Sequence, residues 1–211
     1  MKNTKSEIVS IRSPRQERAR QKVELILEAS MQLLAKGGFA LLTTNAVAER
    51  AGVSIGTLYQ YFPNKEAILD ALADREMADL SHRVLEVLKE PGAITPRERI
   101  ARVVRAVMAG YGGRPQVHRL VMEDSFRRGG ARLVPLIQEL VGFLSSTGPL
   151  AGDGQAVKLS HAEAFVMTNA FAGVMRAMIL WQDNSAPPQG EVEEALAHMI
   201  VHFAGERTEG G

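Results

Sequence analysis

The segment from Ile55 to Lys65 contains several hydrogen-bonding side chains and no acidic residue. Hydroxyl and amide groups of this kind can donate to and accept from base edges and phosphates. Lys65 follows Pro63 at the start of a new helix, whose free N–H groups together with the lysine could hold a phosphate. The polar side chains expected to face outward are Thr57, Tyr59, Gln60 and Tyr61. This segment predicts a surface that contacts nucleic acid.

Two short helices are needed to position that segment. Residues 44–62 read TNAVAERAGVSIGTLYQYF, in which Thr44 is expected to cap the first helix and Ser54 the second. Gly52 is expected to end the first helix with a positive φ. Ala48 is small, as a close helix crossing requires. Two short helices joined by a glycine-containing turn of about three or four residues are typical of a DNA-reading helix-turn-helix.

The charge is unevenly divided along the chain. The net charge is +1, but residues 1–65 carry ten Lys/Arg and five Asp/Glu, and residues 66–211 carry fifteen and nineteen. Seven basic and two acidic residues fall within 1–22, where an arm could lie on the duplex, although these side chains could equally form a solvated face. A basic front on an acidic body favours a nucleic-acid-facing head.

The motif Thr44-x2-Val-Ala-x2-Ala-Gly-Val-Ser-x-Gly-Thr-Leu-Tyr-x-Tyr-Phe-x-Asn-Lys-Glu-x2-Leu resembles the N-terminal signature of TetR-type transcriptional regulators. The resemblance extends from about Arg15 to Leu72, roughly a third of the chain. It implies a three-helix DNA-binding head, a long connecting helix, and a C-terminal domain for effector binding and dimerisation.

The resemblance also implies roles for individual residues. It implies that Thr44 and Ser54 cap helices and touch phosphate, and that Gly56 and Thr57 approach the bases. It also implies that Tyr59 and Tyr61 contact phosphate or base edges and that Lys65 binds phosphate. Ile55 stands where the family often has a basic residue, which removes one potential contact, and Tyr61 stands where histidine is frequent. The predicted DNA-binding residues are Arg15, Thr44, Ser54, Ile55, Gly56, Thr57, Tyr59, Gln60, Tyr61 and Lys65.

The rest of the chain reads as all-α. Aromatic residues make up 5% of the chain, and apolar residues recur at helical spacing in blocks bounded by Gly and Pro, which predicts about nine helices. One helix starts after Ser13 and stops at Gly37-Gly38, and another opens at Thr95-Pro96. The predicted divisions are a mobile basic tail (1–12), the helix-turn-helix domain (13–63), a connecting helix (64–89), an effector-binding and dimerisation domain (90–205) and a mobile tail (206–211).

The helix at 162–181 is apolar almost all round. It is long enough to span a membrane, but Asn169 and the costly Arg176 fall inside it. Burial in a subunit interface together with 188–204 is therefore favoured, and a core helix of a monomer remains the alternative. The predicted dimer-interface residues are Phe171, Gly173, Val174, Met178, Met199 and Phe203.

A small-molecule pocket between helices is predicted in the body, although methionine and aromatic residues at this spacing also suit a plain core. Arg102, Arg105, Arg114 and Arg119 could pair with an anionic effector or with surface acids. The predicted lining is Met108, Tyr111, His118, Met122, Phe126, Phe143, Phe165 and Met167.

Several other functions are not favoured. The chain has no cysteine and no motif of a serine hydrolase, P-loop or dinucleotide site, so enzyme activity and a cofactor are not expected. His198 and His202 lie one turn apart, but a metal is not predicted there. No signal peptide is recognised, so a cytoplasmic location is expected.

The sequence therefore predicts a homodimeric transcriptional regulator. We expect a repressor that a small hydrophobic or amphipathic ligand releases from a palindromic operator on double-stranded DNA. The alternative is a helical ligand-binding or protein-interaction module without an operator.

Overall fold

The computed structural model describes residues 14–90, 95–109, 113–146, 159–181 and 186–205. Within these ranges the chain forms nine α-helices and no strand, which confirms the all-α prediction. A 3-10 turn, Ala131–Leu133, precedes the seventh helix. The helices are α1 (Pro14–Leu41), α2 (Thr44–Ala51), α3 (Ile55–Tyr61), α4 (Lys65–Lys89), α5 (Pro96–Met108), α6 (Pro115–Arg127), α7 (Val134–Ser146), α8 (His161–Leu180) and α9 (Gln189–Gly205).

The chain divides between Ile68 and Leu69 into two compact units, called unit 1 and unit 2. Unit 1 includes α1 to α3, unit 2 includes α5 to α9, and the division falls within α4. The sequence placed the end of the helix-turn-helix domain at residue 63. The two predicted tails and the cap Ser13 lie outside the described residues.

Local signals set most helix ends. Thr95 accepts a hydrogen bond from the Glu98 N–H at 3.2 Å, as its position before Pro96 predicted. α8 begins with a capping box, in which Ser160 and Glu163 satisfy each other's backbone N–H groups. In α1 the backbone leaves helical geometry at the predicted Gly37-Gly38 pair before a last turn ends at Leu41.

Unit 2 packs its helices around an apolar core, with α5 against α9 and α7 against α8. Polar pairs also join its helices. Arg132 lies 2.6 Å from Asp74 of α4, and this hydrogen-bonded carboxylate raises the pKa of the arginine. His118 Nδ1 of α6 lies 2.5 Å from Glu76 Oε2 of α4, and both side chains are buried.

α8 passes the length and hydropathy test for a membrane span, as the sequence indicated. Only 28% of its most apolar window is buried within the described chain. A core helix of a monomer would be buried much more completely, so this helix retains a large apolar surface that the described residues do not cover.

Candidate functional site

The turn between α2 and α3 has the geometry that the sequence predicted. Gly52 has φ 66° and ψ 30°, the left-handed conformation that glycine adopts without steric cost. The Val53 N–H donates to the Ala48 carbonyl at 3.0 Å, which closes the turn against the buried Ala48. Ser54 then caps α3, since its hydroxyl accepts from the Thr57 N–H at 3.1 Å. The local sequence thus fixes where α3 begins.

The cap of α2 is Thr43, so the prediction that Thr44 caps this helix is wrong. The Thr43 hydroxyl accepts from the Ala46 N–H at 3.2 Å, and Thr44 is the first helical residue. With Thr43 as cap, Leu42 and Val47 occupy the two positions of a hydrophobic staple, and both are fully buried. That apolar pair is the sequence signal that distinguishes the two threonines.

Thr44 has a different contact instead. Its Oγ1 lies 3.3 Å from the hydroxyl oxygen of Tyr59, which joins the first turn of α2 to the exposed face of α3. On the other side of α2, Arg50 donates to Gln32 of α1 at 2.7 Å. These polar contacts hold the helices of unit 1 around the buried Leu58.

The surface of α3 is mostly open. Tyr59 is 50% exposed and Ile55 39% exposed, whereas Thr57 and Tyr61 are half-buried. Gly56 and Gln60 are also exposed. Tyr59 and Gln60 therefore face outward as expected, whereas Thr57 and Tyr61 do so only in part.

The start of α4 lies directly after α3 in the chain. The Asn64 side-chain carbonyl accepts from the Ala67 N–H at 2.8 Å, so Asn64 caps this helix. Lys65, half-buried, is its first residue. Arg15, exposed in the first turn of α1, is the other predicted basic contact within the described residues. Unit 1 therefore presents polar, acid-free groups from α3 and a lysine at a capped helix start.

Unit 2 contains a cavity of about 130 Å³ bordered by residues of α4 to α9. Three of the predicted pocket residues line it, namely Met122, Phe126 and Met167. Whether it takes an effector stays a prediction. Its wall also includes Leu80, Val84 and Leu88 of α4, so a molecule in the cavity would touch the helix that begins at Lys65.

The other predicted lining residues do not border this cavity. Phe165 is 54% exposed, because it lies about 200° around α8 from Met167 at 100° per residue. His118 is buried in its contact with Glu76. Met108 and Phe143 pack against the apolar core from the side, and Tyr111 lies outside the described residues.

Sequence reasoning missed Arg99, a buried arginine in the cavity wall. Two of the arginines that it weighed, Arg102 and Arg105, pair with Glu98 at the surface. Arg99 stands at the spacing of Val103 and Val107 on α5, whose stripe is otherwise apolar. A charged residue within an apolar stripe is the signal that could have found it.

A groove runs between α8 and α9 on the outside of unit 2. Trp181 and Met199 lie in it and are 54% and 40% exposed. Three predicted dimer residues border the groove, namely Val174, Met178 and Met199.

The other predicted dimer residues differ in their placement. Gly173 is exposed on α8, where an added Cβ would meet nothing within 4 Å. Phe171 lines the internal cavity, and the side chain of Phe203 lies outside the described residues. Among the side chains that the structure describes, no group of three or more potential metal ligands comes together.

The fold and these sites define a helix-turn-helix protein with a separate helical unit that contains an apolar cavity. Residues 26–72 match the model of the bacterial regulatory proteins of the tetR family. This match, which lies in the N-terminal part of the chain, supports a TetR-type regulator, as the motif indicated.

Named relatives match over part of the chain. The chain is 38% identical over 82 residues to the HTH-type transcriptional repressor KstR of Rhodococcus jostii, covering 39% of this chain and 37% of that protein. It is 29% identical over 136 residues to the fatty acid metabolism regulator protein of Bacillus subtilis, covering 64% and 69%. The chain thus spans little more than a third of the length of the first of these relatives.

The likeness in fold extends further. The crystal structure of the transcriptional regulator FadR from Bacillus subtilis in complex with stearoyl-CoA superposes with a TM-score of 0.58 at 21% identity. The alignment covers 85% of this chain and 98% of that one. The C-terminal unit therefore shares the fold of that regulator.

Proposed function

We propose that the protein is a homodimeric, sequence-specific DNA-binding regulator, acting as a repressor that a small hydrophobic or amphipathic ligand releases from a palindromic operator. The observation that carries the proposal is the exposed, acid-free face of α3, held by the Ser54 cap and the Gly52 turn. The names of the relatives, among them a transcriptional repressor, support it.

The proposed dimer forms through α8 and α9. α8 and α9 carry large apolar side chains that are exposed in the single chain, such as Val166 and Met199, and the exposed Trp181 directly follows α8. Stable dimer interfaces are large and apolar, so a second copy of this surface is the fitting cover. A two-fold dimer also presents two copies of α3, which suits a palindrome.

The proposed release acts through α4. Its middle turns line the cavity with Leu80, Val84 and Leu88, and its first turn carries Lys65. Half-sites must match one turn of B-DNA, about 34–36 Å, or a multiple, so a small displacement of the two α3 helices weakens binding. A ligand that binds the displaced state more tightly lowers the affinity for DNA, and bound DNA lowers the affinity for the ligand by the same factor.

The regulator would be non-catalytic, cofactor-free and cytoplasmic. The alternative function is a helical binding module without an operator. That function does not explain why the surface of α3 has no acidic residue. Sequence-selective duplex binding distinguishes the two functions.

The phosphate contact of Lys65 gives one test. Log affinity for duplex DNA falls with log salt by about 0.9 per phosphate contact, so Lys65→Ala should reduce that slope by about 1. Affinity should weaken to a similar extent for all duplex sequences, because phosphate carries no base information. The measurement is a fluorescence-anisotropy titration at several salt concentrations.

Lys89→Ala serves as the matched control, since Lys89 is the last residue of the same helix. It should leave the slope at the wild-type value. An unchanged slope for Lys65→Ala would contradict the assigned phosphate contact.

A further inference from the structure

Arg99 lines the cavity of unit 2, and two of its nitrogens have no partner among the described residues. The residue is only 4% exposed. Its Nη1 donates to the carbonyls of Val87 and Leu88, near the end of α4, at 3.0 and 3.2 Å, and to the Glu90 carbonyl at 3.4 Å. Its Nε and Nη2 are buried and have no hydrogen-bond partner among the described residues. Buried N–H groups are costly to leave unpaired, so this pair points to an acceptor that another molecule supplies.

The unpaired nitrogens of Arg99 have the arrangement that a carboxylate requires. Nε and Nη2 lie along one edge of the planar guanidinium, because Cδ and Nη1 occupy the opposite side. Two parallel N–H groups on one edge bind both oxygens of a carboxylate. Since Nη1 is held by the end of α4, the free edge is oriented before any ligand binds.

The rest of the cavity wall agrees with an anion that has an apolar body. Thr168 is 5% exposed, and its Oγ1 is buried without a partner in the described chain. Arg176 also borders the cavity, with its guanidinium 5.4 Å from the ring centre of Phe126. Every other described residue of the wall is apolar, and none is acidic. Such a wall offers donors and positive charge but no anionic group to pair with a cation.

The size of the cavity limits the body of the ligand. Its volume is about 130 Å³. An apolar cavity of about 150 Å³ binds benzene, so a single ring or a short alkyl chain fits this space.

We propose that unit 2 binds a small monocarboxylate, with its two oxygens on Nε and Nη2 of Arg99. The Thr168 hydroxyl supplies a further hydrogen bond within the same cavity, and the apolar body lies among the aliphatic side chains. The proposal rests on the proposed function in that this carboxylate is the effector of the regulator.

Matched pairs of probes test the charge requirement on the full-length protein. Calorimetric titrations would compare benzoate with benzamide, and hexanoate with hexanamide, which differ mainly in one oxygen and one NH₂ group. Each acid should bind at least about tenfold more tightly than its amide, because hydrogen bonds to a charged group are the stronger ones and the amide NH₂ would face two donors.

Two variants test the residues. Arg99→Lys keeps the charge but removes the paired edge, and should weaken benzoate at least about tenfold and benzamide much less, since an amide has only one oxygen to accept from that edge. Because Arg99 also binds the end of α4, Thr168→Val provides a second variant that removes only a hydroxyl, and benzoate affinity should fall several-fold. Arg102→Lys, on the surface of the same helix, is the control and should bind as wild type.

The outcomes separate this proposal from the regulatory one. Equal affinity for acids and amides, or no binding of either acid at millimolar concentration, would overturn the carboxylate site even if the protein binds an operator. Selective binding of the acids by a protein that shows no preference among duplexes would support the site and contradict the regulatory function.

Discussion

Replacement of Gly173 by arginine is expected to give a folded monomer that has lost operator binding. Gly173 is exposed on α8, and a side chain there meets nothing within 4 Å in the single chain. In the proposed dimer the same guanidinium would lie unpaired within an apolar interface, which is strongly unfavourable. Loss of the second DNA-binding head removes an avidity of about 10²–10⁴, so operator affinity should fall at least about 100-fold.

Gly142→Arg is the matched control. Gly142 is also an exposed helical glycine, on α7, with nothing within 4 Å of an added Cβ. Sedimentation velocity at micromolar concentration and operator titrations would be run on both variants. The dimer surface is wrong if Gly173→Arg sediments as wild type or if both variants dissociate alike.

Filling the cavity should separate ligand response from DNA binding. Met122 is 2% exposed and lines the cavity, so the larger indole of Met122→Trp would occupy the space that an effector needs. Operator affinity should stay within about twofold of wild type, and release by the effector should be lost. Overpacking costs about 1–3 kcal/mol, so the variant should still fold, with a lower melting temperature.

Met108→Trp is the comparison for this variant. Met108 packs half-buried beside the same core and does not line the cavity. That variant should release DNA as wild type does. A Met122→Trp protein that still responds fully would place effector binding outside this cavity.

The sequence predicted unit 1 well because its signals are local. The positive φ of Gly52 and the cap at Ser54 each depend on a few neighbouring residues, and both are as expected. The confusion of Thr43 with Thr44 arose because either hydroxyl can cap a helix. The burial of Leu42 and Val47 favours Thr43 as the cap, and the capping preference of a residue type does not take this burial into account.

The cavity of unit 2 depends on contacts between distant helices, so the sequence predicted it less well. By residue type, Phe165 and His118 were predicted to line the pocket and Phe171 to lie in the dimer interface. Their actual positions follow from which side of α8 faces α7, and from the pairing of His118 with Glu76 across 42 residues. Arg99 was missed because arginines on α5 were expected to pair with acidic residues at the surface. Arg99 instead donates to backbone carbonyls of another helix, a contact that its sequence neighbours do not indicate.

Selection of bound fragments from a random duplex library would test the central claim, that α3 reads DNA as part of a two-fold dimer. The wild-type protein should enrich an inverted repeat whose half-sites are about one helical turn, or a multiple, apart. Thr57→Ala should alter the preferred bases within each half-site and leave their spacing unchanged. Enrichment of no common sequence, or of a single site without two-fold symmetry, would contradict it.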